Sequence, residues 1–260
     1  ITRTSETINE LAMSCIALKD YPKATYSGFA KRLRHKTTRI AYDKFMAFYL
    51  RSKLFRKTVT NNASMTLRAS FNEDIFSFLY LYLPDYEEQV KIGDFLYNME
   101  MKIKNNNKIN DNLLHMACDT YMHLFFNKKT NGKLNDIIVE NSKSGVQVGE
   151  AKNAKGSYPF FTSGDAILEW SDYLFLLLKS IKPELSKKFF QGTGLKHLQK
   201  PLLKDRAIYI PSEGEIYSFN STINPLFNLI SSNTRENQNL IKLRDWLLPI
   251  LMNGQATITD

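Results

Sequence analysis

Leu83-Pro84-Asp85-Tyr86-Glu87-Glu88-Gln89-Val90-Lys91-Ile92 is the stretch that sets the architecture: a proline closes an apolar run and an acidic turn opens a long periodic segment. Proline stops a strand and suits the first turn of a helix, where carboxylates also complement the helix dipole. Ile92, Leu96, Met99, Ile103, Ile109, Leu113 and Met116 follow at spacings of three, four and six residues. They predict one helix from about Asp85 to Phe126 with a continuous apolar stripe.

The same junction returns 127 residues later, with Pro84 over Pro211 and no gap on either side. Phe71, Ile75, Leu81 and Leu83 fall over Leu198, Leu202, Ile208 and Ile210. Glu88, Ile103, Asn106, Asn110, Asn112 and Leu113 fall on the identical Glu215, Ile230, Asn233, Asn237, Asn239 and Leu240. Ile92, Leu96 and Met99 fall over Phe219, Ile223 and Leu226, and with one residue of slip Leu50-Arg51-Ser52 matches Leu178-Lys179-Ser180. Chance similarity of amphipathic helices gives an apolar register but not ungapped asparagines as well.

Each copy therefore reads as a globular portion, an apolar strand (Phe78 to Leu83; Ala207 to Ile210), a proline stop and one long helix. The second helix is expected from about Ile216 to Leu251, with a kink or a late start at Pro225. Two such helices can bury their stripes against each other. The predicted fold class is α+β: two heads of mixed α/β character separated by two long antiparallel helices, a coiled-coil spacer, in a pseudo-two-fold repeat. The competing arrangement packs each helix on its own head, but about 40 residues at about 1.5 Å each overreach a small domain. The boundaries are head one at 1–84, spacer helix one at 85–131, head two at 132–211, and spacer helix two with a C-terminal tail at 212–260. The heads are unequal. Head one lacks a counterpart of Gly132 to about Tyr173, and head two lacks one of about Ile1 to Tyr42, so segments are expected to be missing before Ile1 and near Leu174-Phe175.

Over 260 residues, 43% hydrophobic and 12% aromatic content indicate a folded chain, and 23% charged residues are ordinary for a globular one. The net charge of +9 and pI of about 9.3 favour a polyanionic partner. Cys15 and Cys118 are far apart and without metal-ligand spacing, so neither a disulfide framework nor a zinc site is expected, and a reducing cytoplasm fits. No apolar run approaches the roughly 20 residues of a spanning helix; the run from Tyr173 to Leu178 is closed by Lys179, and no membrane partner is expected. The sequence opens on Ile1 without an initiator methionine or signal-peptide pattern.

The charge concentrates in the heads. Head one carries Lys31-Arg32-Leu33-Arg34-His35-Lys36, then Arg39, Arg51, Lys53, Arg56, Lys57 and Arg68, with aromatic residues between. Lysines neutralise phosphates, whereas arginine, asparagine, glutamine and short hydroxyls can read base edges. Lys31, Arg32, Arg34 and Arg68 are candidate DNA contacts, and Arg3, Thr4 and Ser5, in the loop-like Thr2 to Thr7, are candidate base readers; Ser5 or Thr7 could equally cap a helix. In head two the candidates are Lys155, Tyr158, Thr162, Thr193, Lys196 and His197. Gly192 and Gly194 would let backbone approach a phosphate, although a turn before a helix looks the same.

No catalytic constellation accompanies them. His35, His115, His123 and His197 show no paired-ligand spacing. Asp85, Glu88 and Lys91 could begin a nuclease site but crowd one helical turn, and Glu88 with Lys91 is an ordinary ion-pair spacing. Asn224-Pro225-Leu226-Phe227 brings to mind an adenine-methyltransferase motif but lacks its second proline and a glycine-rich cofactor loop. Neither a metal nor a cofactor is expected on this chain.

The junction from Leu83 to Ile92 resembles the opening of the spacer helices in specificity subunits of type I restriction-modification systems. Thr2 to Thr7, Gly192-Thr193-Gly194-Leu195-Lys196-His197-Leu198, and Arg244 to Gln255 are similar to one branch of that family. The resemblance implies two target-recognition domains, each reading half of a split double-stranded DNA target across a fixed gap, in a cytoplasmic bacterial defence complex. It implies that methylation subunits, two of them, dock on the helices, with Ile103, Asn106, Asn110, Leu113, Ile230, Asn233, Asn237 and Leu240 as candidate contacts. Restriction motor subunits would join through them, and S-adenosylmethionine, ATP and Mg would sit on those partners. The second junction departs from the pattern, with Glu215-Ile216 where the first has Glu88-Gln89. A methyltransferase or nuclease fragment, and a helical scaffold or decoy that binds methylation subunits without reading DNA, are the alternatives.

Overall fold

The fold is taken from a computed structural model that describes residues 1–34, 36–61, 63–65, 69–70, 79–138, 172–191 and 197–258. Two compact units divide it: residues 1–108 with 233–260, and residues 109–232. The division falls inside both long helices, so each unit owns one stretch of each.

Unit 1 begins with β1 (Thr4–Ser5) and a short 3-10 turn (Ile8–Glu10), followed after a long irregular segment by α1 (Asp43–Tyr49) and α2 (Lys53–Asn61). Next come β2 (Ser64–Met65) and β3 (Ala69–Ser70); β3 is the central strand, antiparallel to both β1 and β2. The long helix α3 spans Tyr86–Tyr121, and its first part belongs to this unit. Leu11, Phe45, Met46, Tyr49, Phe55, Val59, Ile92 and Leu96 form the core with Leu251 and Met252, so the chain's C-terminal end closes the head that its N-terminal residues begin. Fully burying an aliphatic or aromatic side chain contributes about 1.5–3 kcal/mol.

The junction between Leu83 and Ile92 is held by one amide. Gln89, 1% exposed, accepts from the Tyr42 N–H at 3.0 Å and donates to the carbonyls of Ile40 at 3.0 Å and Pro84 at 2.9 Å. One turn on, a Cβ on Gly93 would stand 2.6 Å from the Phe45 backbone nitrogen, so only glycine lets α1 lie this close. Asp94 completes the seam, accepting from Tyr42 Oη at 2.8 Å and Lys44 Nζ at 2.6 Å. The Lys44 ammonium, with the Tyr42 hydroxyl, holds the Asp94 carboxyl below its usual range. At the helix start Asp85 Oδ1 accepts from the Glu88 N–H at 2.8 Å, an ordinary N-cap.

Within unit 1, α3 and the last stretch of α7 (Glu213–Met252) lie antiparallel, as their cross-links show. Arg244 reaches Glu100, and Asn106 Nδ2 donates to Asn237 Oδ1 at 2.9 Å and to Glu236 at 2.7 Å. Asn237 Nδ2 returns a bond to Asn107 at 2.9 Å. α7 ends in a Schellman turn: Gly254, at φ +66°, donates to Leu251 O, and Gln255 donates to Ile250 O at 2.9 Å.

Unit 2 contains the end of α3, which widens into one π-helical turn (Met122–Phe126), then β4 (Gly132–Lys133) and a 3-10 turn (Leu134–Asp136). After the undescribed stretch come α4 (Asp172–Ser180), α5 (Lys182–Lys188), β5 (Phe190–Gln191), β6 (His197–Leu198), α6 (Lys200–Lys204), β7 (Ala207–Ile208) and the first part of α7. β5 pairs with β6 and β4 with β7, both antiparallel. Tyr121, Phe125, Tyr173 and Phe219 meet ring to ring in a core with Ile223, Leu134 and Leu176. α4 runs unbroken across Leu174-Phe175, where the repeat predicts a missing segment.

Three local expectations are corrected. Residues 79–83 are not a strand: Leu79 and Leu83 pack inward, but Tyr80 and Tyr82 stand in solvent and the stretch has no ladder partner among the described residues. Thr2 to Thr7 is not a loop, since Thr4–Ser5 is paired with Ala69–Ser70 and Thr7 precedes the 3-10 turn without capping it through its side chain. α7 starts at Glu213, ahead of Pro225, and continues through it, because packing of Phe219 and Ile223 outweighs the one backbone bond that proline cannot make.

Replacing Gln89 by Ala leaves one N–H and two carbonyls without partners. Urea unfolding is expected to show a loss of about 2 kcal/mol or more, with Gln89→Glu also destabilising because a carboxylate cannot donate to Ile40 and Pro84.

Candidate nucleic-acid interface

α2 opens on Ser52, buried, whose Oγ accepts from the Phe55 N–H at 3.2 Å. Phe55 and Val59 point into the core, which turns Lys53 and Lys57 outward beside Arg51 and leaves Arg56 half-buried. Together with Ile8, Asn9 and Thr60 these residues line a cleft of about 230 Å³. Arg56 is fixed by a hydrogen bond to the Asn9 carbonyl. Among the described residues, Arg51, Lys53 and Lys57 make no ion pair, and the sequence holds no Asp or Glu from Arg51 to Ser70. Cations at the start of a helix oppose its dipole, so this arrangement serves a local anion better than it serves α2. In the sequence these four residues are legible as part of a basic field but not as a site, because the α2 stripe that presents them together emerges only when Phe55 and Val59 are seen in the core.

The structure places several of the DNA contacts expected from the sequence. Arg3 is exposed beside β1, and its N–H donates to Phe29 O at 2.7 Å. Thr4 and Ser5 are half-buried on β1, and Ser5 Oγ donates to Thr7 O at 2.6 Å. With Thr2, Met13 and Phe29 they line a second, more open cleft of about 530 Å³ that also contains Glu6 and Glu10. Lys31 is half-buried, with its backbone hydrogen-bonded to Ile1 in both directions. Arg32 is exposed, its guanidinium 5.4 Å from the Tyr26 ring centre, and Arg34 is exposed. His197 lies on β6 opposite Gln191. Arg68, Lys155, Tyr158, Thr162, Thr193 and Lys196 lie outside the described residues.

On the long helices, Asn106 and Asn237 are buried against each other at 2% and 7% exposure. Ile103, Asn110, Leu113, Ile230, Asn233 and Leu240 are half-buried. Large apolar residues on the same helices stay in solvent: Phe95, Leu243 and Trp246 in unit 1, Met116, Tyr217 and Leu229 in unit 2.

The second junction is built differently from the first. Ser212 and Glu215 form a capping box, with the Ser212 N–H and Oγ donating to Glu215 Oε2 at 2.8 and 2.9 Å. Tyr209 Oη adds bonds at 2.9 and 3.0 Å, and Lys128 pairs with the same carboxylate. The Lys128 ammonium first, then the Ser212 N–H and the Tyr209 hydroxyl, lower the Glu215 pKa to about 2. Among the described residues, no group of three or more His, Cys, Asp or Glu could hold a metal, and no helix is long and apolar enough to cross a membrane.

Because the Glu215 pKa is depressed in the folded state, its contribution is present above the unfolded value near 4.5 and lost as pH falls toward 2. The melting temperature of Glu215→Gln is therefore expected below that of the native chain at pH 7, with the difference closing between pH 4.5 and 2.

Comparison with known proteins agrees with this picture. Residues 8–115 match the family described as the type I restriction modification DNA specificity domain, a stretch that includes all the residues of the α2 cleft. The chain is 30% identical over 88 residues to the type I restriction enzyme MjaIX specificity subunit of Methanocaldococcus jannaschii, which covers 34% of this chain and 20% of that relative. The aligned stretch is thus only a fifth of the relative's length. No solved structure matches. Residues 8–115, somewhat less than half of the chain, are therefore similar to the type I restriction modification DNA specificity domain.

Proposed function

We propose that the chain is a DNA-recognition subunit of a type I restriction-modification assembly, itself without a catalytic site. The observation that carries this is the α2 cleft: Arg51, Lys53, Arg56 and Lys57 converge within the family-matched stretch, and no carboxylate lines the cleft with them. Such a cluster supplies phosphate neutralisation, the sequence-independent part of DNA affinity. Base readout falls to residues beside it, with Arg3, Thr4 and Ser5 as first candidates.

The finer reading is a split target. Unit 2 repeats part of the element order of unit 1, with two helices (α4 and α5 for α1 and α2), two short paired strands (β5 and β6 for β2 and β3), a proline and a long helix, and has α6 and β7 in addition before its proline. The buried side chains keep step, with Phe219 and Ile223 standing where the 127-residue offset puts Ile92 and Leu96. This supports two recognition heads in one chain, each reading one half-site of double-stranded DNA. The exposed Phe95, Leu243 and Trp246, and separately Met116, Tyr217 and Leu229, are the surfaces on which methylation subunits dock. Asn106 and Asn237 set the helix register from within rather than touching a partner. S-adenosylmethionine, ATP and Mg belong to partner subunits, and the assembly works in the cytoplasm.

Charge reversal tests the reading. Arg51→Glu with Lys53→Glu is expected to weaken duplex binding at least ten-fold at low salt and to flatten the dependence of log K on log salt by about 0.9 for each phosphate no longer neutralised. Unchanged affinity and slope in a variant that melts like the parent would remove the cleft from the interface.

A further inference from the structure

Residues 13–42 form the most irregular described part of unit 1, and their surface composition is unlike that of a solvated loop. They carry seven Lys or Arg (Lys19, Lys23, Lys31, Arg32, Arg34, Lys36, Arg39) against one carboxylate, Asp20. Within this field three aromatic rings stand out: Tyr21, Tyr26 and Phe29 are 55%, 57% and 57% exposed. Two are flanked by cations, with Lys19 Nζ 5.2 Å from the Tyr21 ring centre and Arg32 Cζ 5.4 Å from that of Tyr26.

The rings are presented on a fixed backbone. One turn closes from the Ala24 N–H to Tyr21 O at 3.0 Å, and another from the Ala30 N–H to Ser27 O at 2.9 Å, with Ser27 Oγ accepting from the Phe29 N–H at 3.2 Å. The second turn is tied to the head: Phe29 O accepts from the Arg3 N–H, and Lys31 and Ile1 exchange backbone bonds.

We infer that this aromatic and basic segment is a binding site for unpaired nucleotides, with Tyr21, Tyr26 and Phe29 as stacking platforms for bases and the surrounding cations as contacts for the strand. The inference rests on the proposed DNA-binding role and extends it to a different state of the nucleic acid. Duplex DNA shows base edges and phosphates, both of which cations and hydroxyls serve; its base faces are already stacked on one another. Exposed rings gain from nucleic acid only where a base has left the stack, and cations beside the rings hold the backbone next to it. A protein needing only phosphate contacts has no use for three rings kept in water at hydrophobic cost.

The test measures anisotropy of a fluorescent dT12 and, separately, a 30-base-pair duplex, with the native chain and with Tyr21→Leu/Tyr26→Leu, which leaves Phe29 and the cleft it lines with Thr4 and Ser5 untouched. Leucine keeps apolar bulk and removes the ring face; melting curves confirm that the variant folds. The native chain should bind dT12, and the variant should lose ten-fold or more of that affinity while duplex affinity changes less than two-fold, since each stacked base is worth about 1–3 kcal/mol. Failure to bind dT12, or equal weakening toward both probes, overturns the inference. Duplex binding in the same experiment separates that failure from failure of the DNA-binding reading. Vesicles with 30% anionic lipid form the last arm: ring-dependent binding there without ring-dependent dT12 binding also overturns it, in favour of a membrane surface.

Discussion

The buried amide of Gln89 ties together three parts of unit 1 that are distant in sequence or direction. It pairs with the backbone on both sides of residue 41 and with the carbonyl of the proline that starts the long helix. An unpaired polar group in this core would cost about 1–3 kcal/mol, so the amide admits one placement of the 40–45 segment. Gly93, one turn later, then sets the separation of α1 from α3, and α1 carries α2. The orientation of the basic cleft follows from these contacts, although no residue of the cleft makes them.

Unit 2 opens its stretch of long helix by other means. At the position of Gln89 it has Ile216, which packs against the core, while the polar work passes to its neighbour Glu215. The carboxylate is held by Lys128, Tyr209 and Ser212. A buried amide and a partly exposed ionic cap differ in how they respond to solvent: salt and acid act on the second far more than on the first. The two junctions can therefore loosen under different conditions.

The long helices are legible in the sequence because an apolar stripe repeated over many turns is a strong signal and a proline with an acidic turn marks its start. α3 covers Tyr86–Tyr121 and α7 Glu213–Met252, close to what the spacing of Ile92, Leu96, Ile223 and Leu226 requires. The bond from Asn106 to Asn237, and that from Asn237 to Asn107, give physical content to asparagines that the sequence shows only as identities. The short strands are not legible. β1 is only Thr4–Ser5, and its pairing, Thr4 with Ser70 and Ser5 with Ala69, depends on a partner strand far along the chain that no local pattern announces. The alternation of Tyr80, Leu81, Tyr82 and Leu83 looks like a half-buried strand, but Leu81 stands in solvent with the two tyrosines, and of these four only Leu83 packs against the core. The α2 cleft is hidden for a related reason: its residues are spread from Ile8 to Thr60 and meet only once the core is packed.

The proposed function requires that the chain read DNA in two parts, one through each head. Selection of bound duplexes from a random library, using the chain with its methylation subunits, tests this most directly. The account predicts enrichment of two short sequence blocks at one fixed separation, with binding lost when base pairs are inserted between them. A single contiguous block, or enrichment indifferent to the spacing, would contradict it.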